Sequence, residues 1–169
     1  MRIVADSSAL VSLGVVADRF SNPLDCVLKT HDLFIPNRVI DELEATAAYD
    51  DASGRAAESV LDRRDQFVVQ SVELDDSFPL DDGENAAVRL ANDLEATQFY
   101  CDEFNQLALI HASLTTARLI TTPILHVILT RTGAMSVETA ETLLEEITTA
   151  RSWAENAYVI RAQETLGQP

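Results

Sequence analysis

The sequence predicts an α/β fold, a three-layer α/β/α sandwich with a mostly parallel central sheet. Two observations carry this. Short apolar runs (Ile3-Val4-Ala5, Phe34-Ile35, Phe67-Val68-Val69, Phe99-Tyr100-Cys101 and Leu119-Ile120) alternate with segments whose apolar residues recur at helical spacing. Strands separated by helices build parallel sheets covered on both faces. In addition, several of these runs lead into carboxylates: Asp6, Asp41-Glu42 and Asp102-Glu103. Ligands of open α/β sheets bind at the carboxyl ends of the strands.

In chain order, residues 2–6 read as the first strand and 7–14 as a short helix, with Ser7 or Ser8 as its N-cap. Asn22-Pro23 is a break, and 24–31 form a second short helix. A brief strand at 33–35 is stopped by Pro36, and 37–49 form a helix with Val39, Ile40 and Leu43 on one face. Ser53-Gly54 reads as a turn before a helix at 55–66, and 67–72 are rich in β-formers. Asp75 to Asp81 is a polar loop. The helix at 83–95 is clear, with Ala87, Leu90, Ala91 and Leu94 at helical spacing. Then follow a strand end at 99–101, a helix at 104–114 and a strand at 118–122. Pro123 suits position N1 of the next helix, 123–131, which Gly133 ends. Helices at 136–150 and 153–166 close the chain.

The length of 169 residues fits one domain with a real hydrophobic core, and 47% apolar residues exclude a disordered chain. No apolar run approaches the ~20 residues that cross a bilayer, and the apolar start is too short for a signal peptide. Cys26 and Cys101 have no metal-ligand spacing and read as free thiols, which suits a reducing cytoplasm. The net charge is −16, from 28 acidic and 12 basic residues, and Lys29 is the one lysine. Either the partner is not nucleic acid, or the protein works in high salt, where the Debye length falls to ~3 Å at 1 M. The scarcity of lysine and the abundance of Asp, Glu, Ala, Val and Thr resemble halophilic proteins, which favours the second reading.

The chemistry-bearing candidates are Asp6, Glu42, Glu84 and Asp102, with Asp82 and Glu103 beside them. Carboxylates brought together from distant parts of a chain repel one another and suit a hard divalent cation. Each also has a simpler reading. Asp6 can cap the first helix, Glu42 can be a solvated helix carboxylate, Asp82 can be capping chemistry, and Glu84 can favour a helix dipole. His31, His111 and His126 are dispersed and read as packing or surface residues. Arg38, Arg55, Arg63, Arg64 and Arg89 could form an RNA-contacting rim, but charge balance on helices explains them more simply. No nucleophile elbow, P-loop or dinucleotide fingerprint is present.

These residues carry a family resemblance. Ile3-Val4-Ala5-Asp6-Ser7-Ser8-Ala9-Leu10 resembles the first motif of PIN-domain ribonucleases, and Ile35-Pro36 with Val39-Ile40-Asp41-Glu42-Leu43 the second. Asp81-Asp82-Gly83-Glu84-Asn85-Ala86-Ala87 is similar to a D-x-G-E-x-x-A form of the third motif, and Tyr100-Cys101-Asp102-Glu103 to the fourth. The resemblance implies a metal site of Asp6, Glu42, Glu84 and Asp102 holding Mg²⁺ or Mn²⁺, with Ser7 hydrogen-bonded near it and Thr121 facing it. It further implies an endoribonuclease, in some members the toxin of a toxin–antitoxin pair. Related chains often carry a basic residue soon after the fourth motif, whereas here Phe104-Asn105-Gln106 follow.

The expected organisation is a PIN-like core over 1–132, with helices at 133–169 packing on it or extending it. The expected partners are RNA, an antitoxin protein and a second copy of the chain in a homodimer, with no membrane, in the cytoplasm. The alternative keeps the fold but makes the site catalytically weak, the protein acting through protein–protein binding.

Overall fold

In the computed structural model, which describes residues 1–168, five strands form one parallel sheet in the order β3-β2-β1-β4-β5. They are β1 (Arg2–Ala5), β2 (Asp32–Pro36), β3 (Val68–Gln70), β4 (Gln98–Tyr100) and β5 (Arg118–Ile120). The nine α-helices among the described residues are α1 (Ser7–Gly14), α2 (Pro23–Leu28), α3 (Asn37–Ala47), α4 (Ala52–Leu61), α5 (Asp82–Asp93), α6 (Leu107–Ser113), α7 (Thr122–Arg131), α8 (Val137–Ala150) and α9 (Ala157–Leu166). The α/β class read from the sequence is the one observed, with every strand pair parallel.

The central strand explains itself. Ile3, Val4 and Ala5 are fully buried, as a strand covered on both faces requires. In the register, Ile3 pairs with Leu33 on one side and Gln98 on the other, and Ala5 with Tyr100. The chain lays β2 and β3 on one side of β1, then crosses to lay β4 and β5 on the other. The order therefore reverses between β1 and β4, and the crevice at their carboxyl ends is the topological switch point where such sheets bind ligands.

Helix packing completes the core. α1 lies so close to α4 that a Cβ on Gly14 would overlap the Ala56 carbonyl. On the other side of the chain's path, α7 packs with α2, α8 and α9. Leu143, Leu144 and Ile147 of α8 and Ala162 and Leu166 of α9 belong to the same buried cluster as the sheet. Pro169, the end of the segment assigned to C-terminal helices, lies outside the described residues.

Several local expectations are corrected. Ser53-Gly54 is not a turn: Asp51 caps α4, its carboxylate accepting the Gly54 N–H at 2.8 Å, so both residues are helical. Helix α6 begins at Leu107 and not at residue 104, because Phe104 and Gln106 close tight turns onto Asp102 and Glu103. The last helix starts at Ala157, behind an Asn156 cap. Pro123 is the second residue of α7 and not the first. The cap of α1 is neither Ser7 nor Ser8 but Asp6.

Candidate metal centre

Asp6 leaves the sheet directly after β1, its N–H donating to the Tyr100 carbonyl at 3.0 Å. Its Oδ1 accepts the Ala9 N–H at 3.0 Å, which closes the first turn of α1. This is the capping role weighed in the sequence, and it leaves the carboxylate at the switch point. Ser8 is one step further along the turn. Its hydroxyl donates to the Asp6 carboxylate, 2.9 Å from Oδ1 and 3.0 Å from Oδ2, and accepts the Asp102 N–H at 2.9 Å.

Asp102 follows β4 much as Asp6 follows β1, separated from it by Cys101. Its Oδ1 accepts the Thr122 N–H at 2.7 Å from the first turn of α7. Its Oδ2 is buried without a hydrogen-bond partner. The Thr122 and Ser12 hydroxyls lie near enough to favour its ionised form, but the Ser12 hydroxyl donates to the Ser8 carbonyl and that of Thr122 is itself unpartnered. A buried, unmatched carboxylate oxygen costs free energy unless something fills its place.

Glu42 and Glu84 form the second half of the cluster. Ser7, the neighbour of Ser8, donates its hydroxyl to Glu42 Oε2 at 2.6 Å. Glu42 lies over the first turn of α5, where a Cβ on Gly83 would overlap its carboxylate. With Glu42 so placed, only glycine leaves room there. Asp81 caps α5 in a capping box: its side chain accepts the Glu84 N–H at 2.8 Å, and Glu84 Oε2 accepts the Asp81 N–H at 3.3 Å. The dipole role weighed for Glu84 is therefore real. It is also buried, which helix capping alone does not require.

The electrostatics agree with crowding. Burial pushes the Asp6 carboxyl from 3.8 up to about 7, against its hydrogen bonds, and the Asp102 charge adds to the rise. Asp102 is raised, again chiefly by burial. Glu42 is raised by burial and by Asp81, Asp82 and Asp41. Glu84 is raised by burial, then by Asp81, Glu103 and Glu42. All four carboxyls shift toward the neutral form, the direction that burial and like charges impose. Among the described residues, no three His, Cys, Asp or Glu side chains stand close enough to hold an ion between them.

Two serines in sequence thus serve two carboxylates on different elements, Ser7 donating to Glu42 and Ser8 to Asp6, while Ser8 also accepts the Asp102 backbone N–H. Thr121 is at the N-cap of α7 with its hydroxyl buried and unpartnered. Of the arginines considered as an RNA rim, Arg38, Arg63, Arg64 and Arg89 each pair with a carboxylate. The histidine readings fare similarly: His126 is buried in α7, its Nδ1 at 2.9 Å from the Thr122 carbonyl, and burial lowers its pKa to about 4. The residue that the sequence reading passed over is Arg151, whose charge favours ionisation of Asp102.

A family model, DUF3368, described as a PIN domain, matches residues 2–168. No curated protein matches the chain. Among the described residues no helix is long and apolar enough to cross a membrane. With residues 2–168 covered by that match and the acidic crevice at the sheet's switch point, the protein belongs to the PIN-domain family, a fold of the nuclease type.

Proposed function

We propose that this chain is a metal-dependent endoribonuclease, hydrolysing RNA phosphodiester bonds at the crevice between β1 and β4. The observation that supports it most is the Asp6–Ser8–Asp102 bridge, which spans the switch point and leaves Asp102 Oδ2 buried and unmatched.

The donors fit a hard divalent cation. They are all oxygen, burial holds all four carboxyls toward the neutral form, and one oxygen is orphaned. The lack of a closed three-residue cage is no obstacle, because Mg²⁺ keeps several waters and binds through one or two carboxylates. Of Asp6, Glu42, Glu84 and Asp102, one or two would hold Mg²⁺ or Mn²⁺ directly and the others would meet it through its waters. When bound, such an ion supplies Lewis acidity and a water of lowered pKa.

The chain's own part is to fix and poise these groups. Ser8 sets the Asp6 carboxylate relative to the Asp102 backbone, and Ser7 aims Glu42. Asp6, with its carboxyl near 7, exchanges a proton in the physiological range when no cation is near it. The apolar ends of β1 and β4 exclude water from the floor of the site.

A toxin role is a narrower form of the same proposal, in which a small antitoxin protein would hold the enzyme inactive. Co-purification with the product of a neighbouring short gene tests it. The alternative, a catalytically weak PIN fold acting through protein binding, is favoured by one observation, the open spacing of the carboxylates.

The deciding experiment is cleavage of labelled RNA at multimolar KCl, with Mn²⁺ or chelator, by wild type and Asp6→Asn. Metal-dependent cutting lost in the variant supports the nuclease. A folded wild type that binds Mn²⁺ but cuts nothing supports the binding role.

A further inference from the structure

Phe104 lies two residues beyond Asp102, and its N–H donates to the Asp102 carbonyl at 2.9 Å. Its ring gathers two others from the C-terminal helices. Trp153 meets it edge-on, with centroids 5.0 Å apart and planes at 86°. Tyr158 lies 5.3 Å away, tilted by 31°. In a chain that is only 6% aromatic, three rings meet at the edge of the carboxylate site.

Arg151 lies over the Trp153 ring at 5.5 Å from its centroid. The turn between α8 and α9 arranges this: Ser152 takes a left-handed conformation (φ 56°), and the Trp153 N–H returns to the Thr148 carbonyl at 2.9 Å. Arg151 Nε is buried without a hydrogen-bond partner, and no carboxylate among the described residues lies within ion-pairing distance. Its charge favours the ionised form of Asp102, but in a protein with 28 acidic residues it makes no ion pair, so stacked on tryptophan it can take an anion at the edge of the site.

We propose that this cluster is the seat of the single-stranded RNA entering the carboxylate site, with Arg151 holding a phosphate and Tyr158 stacking a base. The proposal rests on the nuclease reading and names how its substrate is held. Packing explains Phe104 and Trp153, which lean on the core, but not the 41% exposure of Tyr158. Next to it a surface hollow lined by Ala157, Tyr158 and Arg161 adds an exposed cation, Arg161, to the half-buried Arg151. A positive charge with an aromatic face is what a strand needs when no base is to be distinguished, since every base has a π-face. Stacking is not screened by salt, so the seat keeps its grip where phosphate attraction alone would fail.

Trp153 is the one tryptophan, so its fluorescence reports on the cluster directly. The test titrates the full chain with a short oligoribonucleotide of mixed sequence, in chelator and in Mg²⁺, for wild type, Tyr158→Ala, Tyr158→Phe, Arg151→Gln and Arg151→Lys. Expected are a change in Trp153 emission on binding and about ten-fold weaker affinity for Tyr158→Ala and for Arg151→Gln. Tyr158→Phe should bind as wild type, and Arg151→Lys should recover part of the loss. In cleavage assays the Tyr158→Ala loss should fall on KM and leave kcat largely intact, whereas Arg151→Gln, whose lost charge also bears on Asp102, is read from RNA binding in chelator, with melting temperatures confirming that the variants fold. Emission that RNA does not move, with both variants cutting at wild-type KM, overturns the seat, leaves the nuclease reading standing and gives this face to a protein partner. Emission that RNA moves, in a wild type that cuts nothing with metal, supports the seat and overturns the nuclease reading.

Discussion

Asp6 and Asp102 are joined through one hydroxyl: Ser8 Oγ donates to the Asp6 carboxylate and accepts the Asp102 N–H, each at 2.9 Å. The two strand ends are thereby locked at a distance that neither carboxylate could maintain alone, since like charges push them apart. Replacing Ser8 with alanine leaves a buried N–H without an acceptor, which costs about 1–3 kcal/mol. For a domain of this size that lowers Tm by roughly 2–12 °C. RNA cleavage should fall as well, because the Asp6 carboxylate loses its fixed orientation. Thermal melts and single-turnover cleavage of Ser8→Ala check both; unchanged values in both would remove the bridge from the mechanism.

Burial raises the Asp6 carboxyl from 3.8 to about 7. The folded state therefore binds this proton more tightly than the unfolded chain. Its contribution is fully present below pH about 4 and is lost as pH rises through 7, on the order of 4 kcal/mol when ionisation is complete. Asp6→Asn removes that loss and keeps a good N-cap, since asparagine caps helices as well as aspartate. In chelator at pH 8 the variant should melt several degrees above wild type, and the gap should close toward pH 4. Adding Mg²⁺ or Mn²⁺ should raise the wild-type Tm by mass action and leave Asp102→Asn much less affected. A variant less stable than wild type across the whole pH range would show that the carboxylate is not under strain.

Much of this arrangement was legible in the sequence, and the failures have physical reasons. Asp6 and Asp102 were visible because a buried strand shows as an unbroken apolar run and a carboxylate ending it has few other uses. Glu84 was visible through the likeness of Asp81-Asp82-Gly83-Glu84 to the third motif of the family. The role of Ser8 was not, because its second partner is 94 residues away, and a hydroxyl beside a helix start reads as a cap. Asp51 hid the true start of α4 in the same way, since Ser53-Gly54 has turn composition and only the cap decides. Arg151 escaped because local sequence says nothing of where a C-terminal turn folds back.

Surface charge makes a separate prediction. At −16 net, with one lysine, the folded chain concentrates repulsion that the unfolded chain spreads out. Raising KCl from low to multimolar screens it, so Tm should climb steadily, and with it the activity on RNA, itself a polyanion. Melts and cleavage rates across a KCl series test this. A Tm that is flat or falling with salt would mean the acidic surface is not an adaptation to brine.

Gly83 offers the sharpest separation of fold from site. It occupies the first turn of α5, where alanine is preferred over glycine by up to about 1 kcal/mol as a helix former. Yet a Cβ there would overlap the Glu42 carboxylate, which Ser7 holds from the other side. The atoms in the way are the end of a flexible side chain and not backbone, so Glu42 can swing aside without unfolding anything. Gly83→Ala should therefore fold with Tm within a few degrees of wild type while displacing Glu42, weakening Mn²⁺ binding and reducing cleavage by at least an order of magnitude. Gly83→Ala combined with Glu42→Gln should be no worse than Glu42→Gln alone, because both changes remove the same carboxylate. Additive losses in that cycle would mean that Gly83 serves the fold of α5 and not the placement of Glu42.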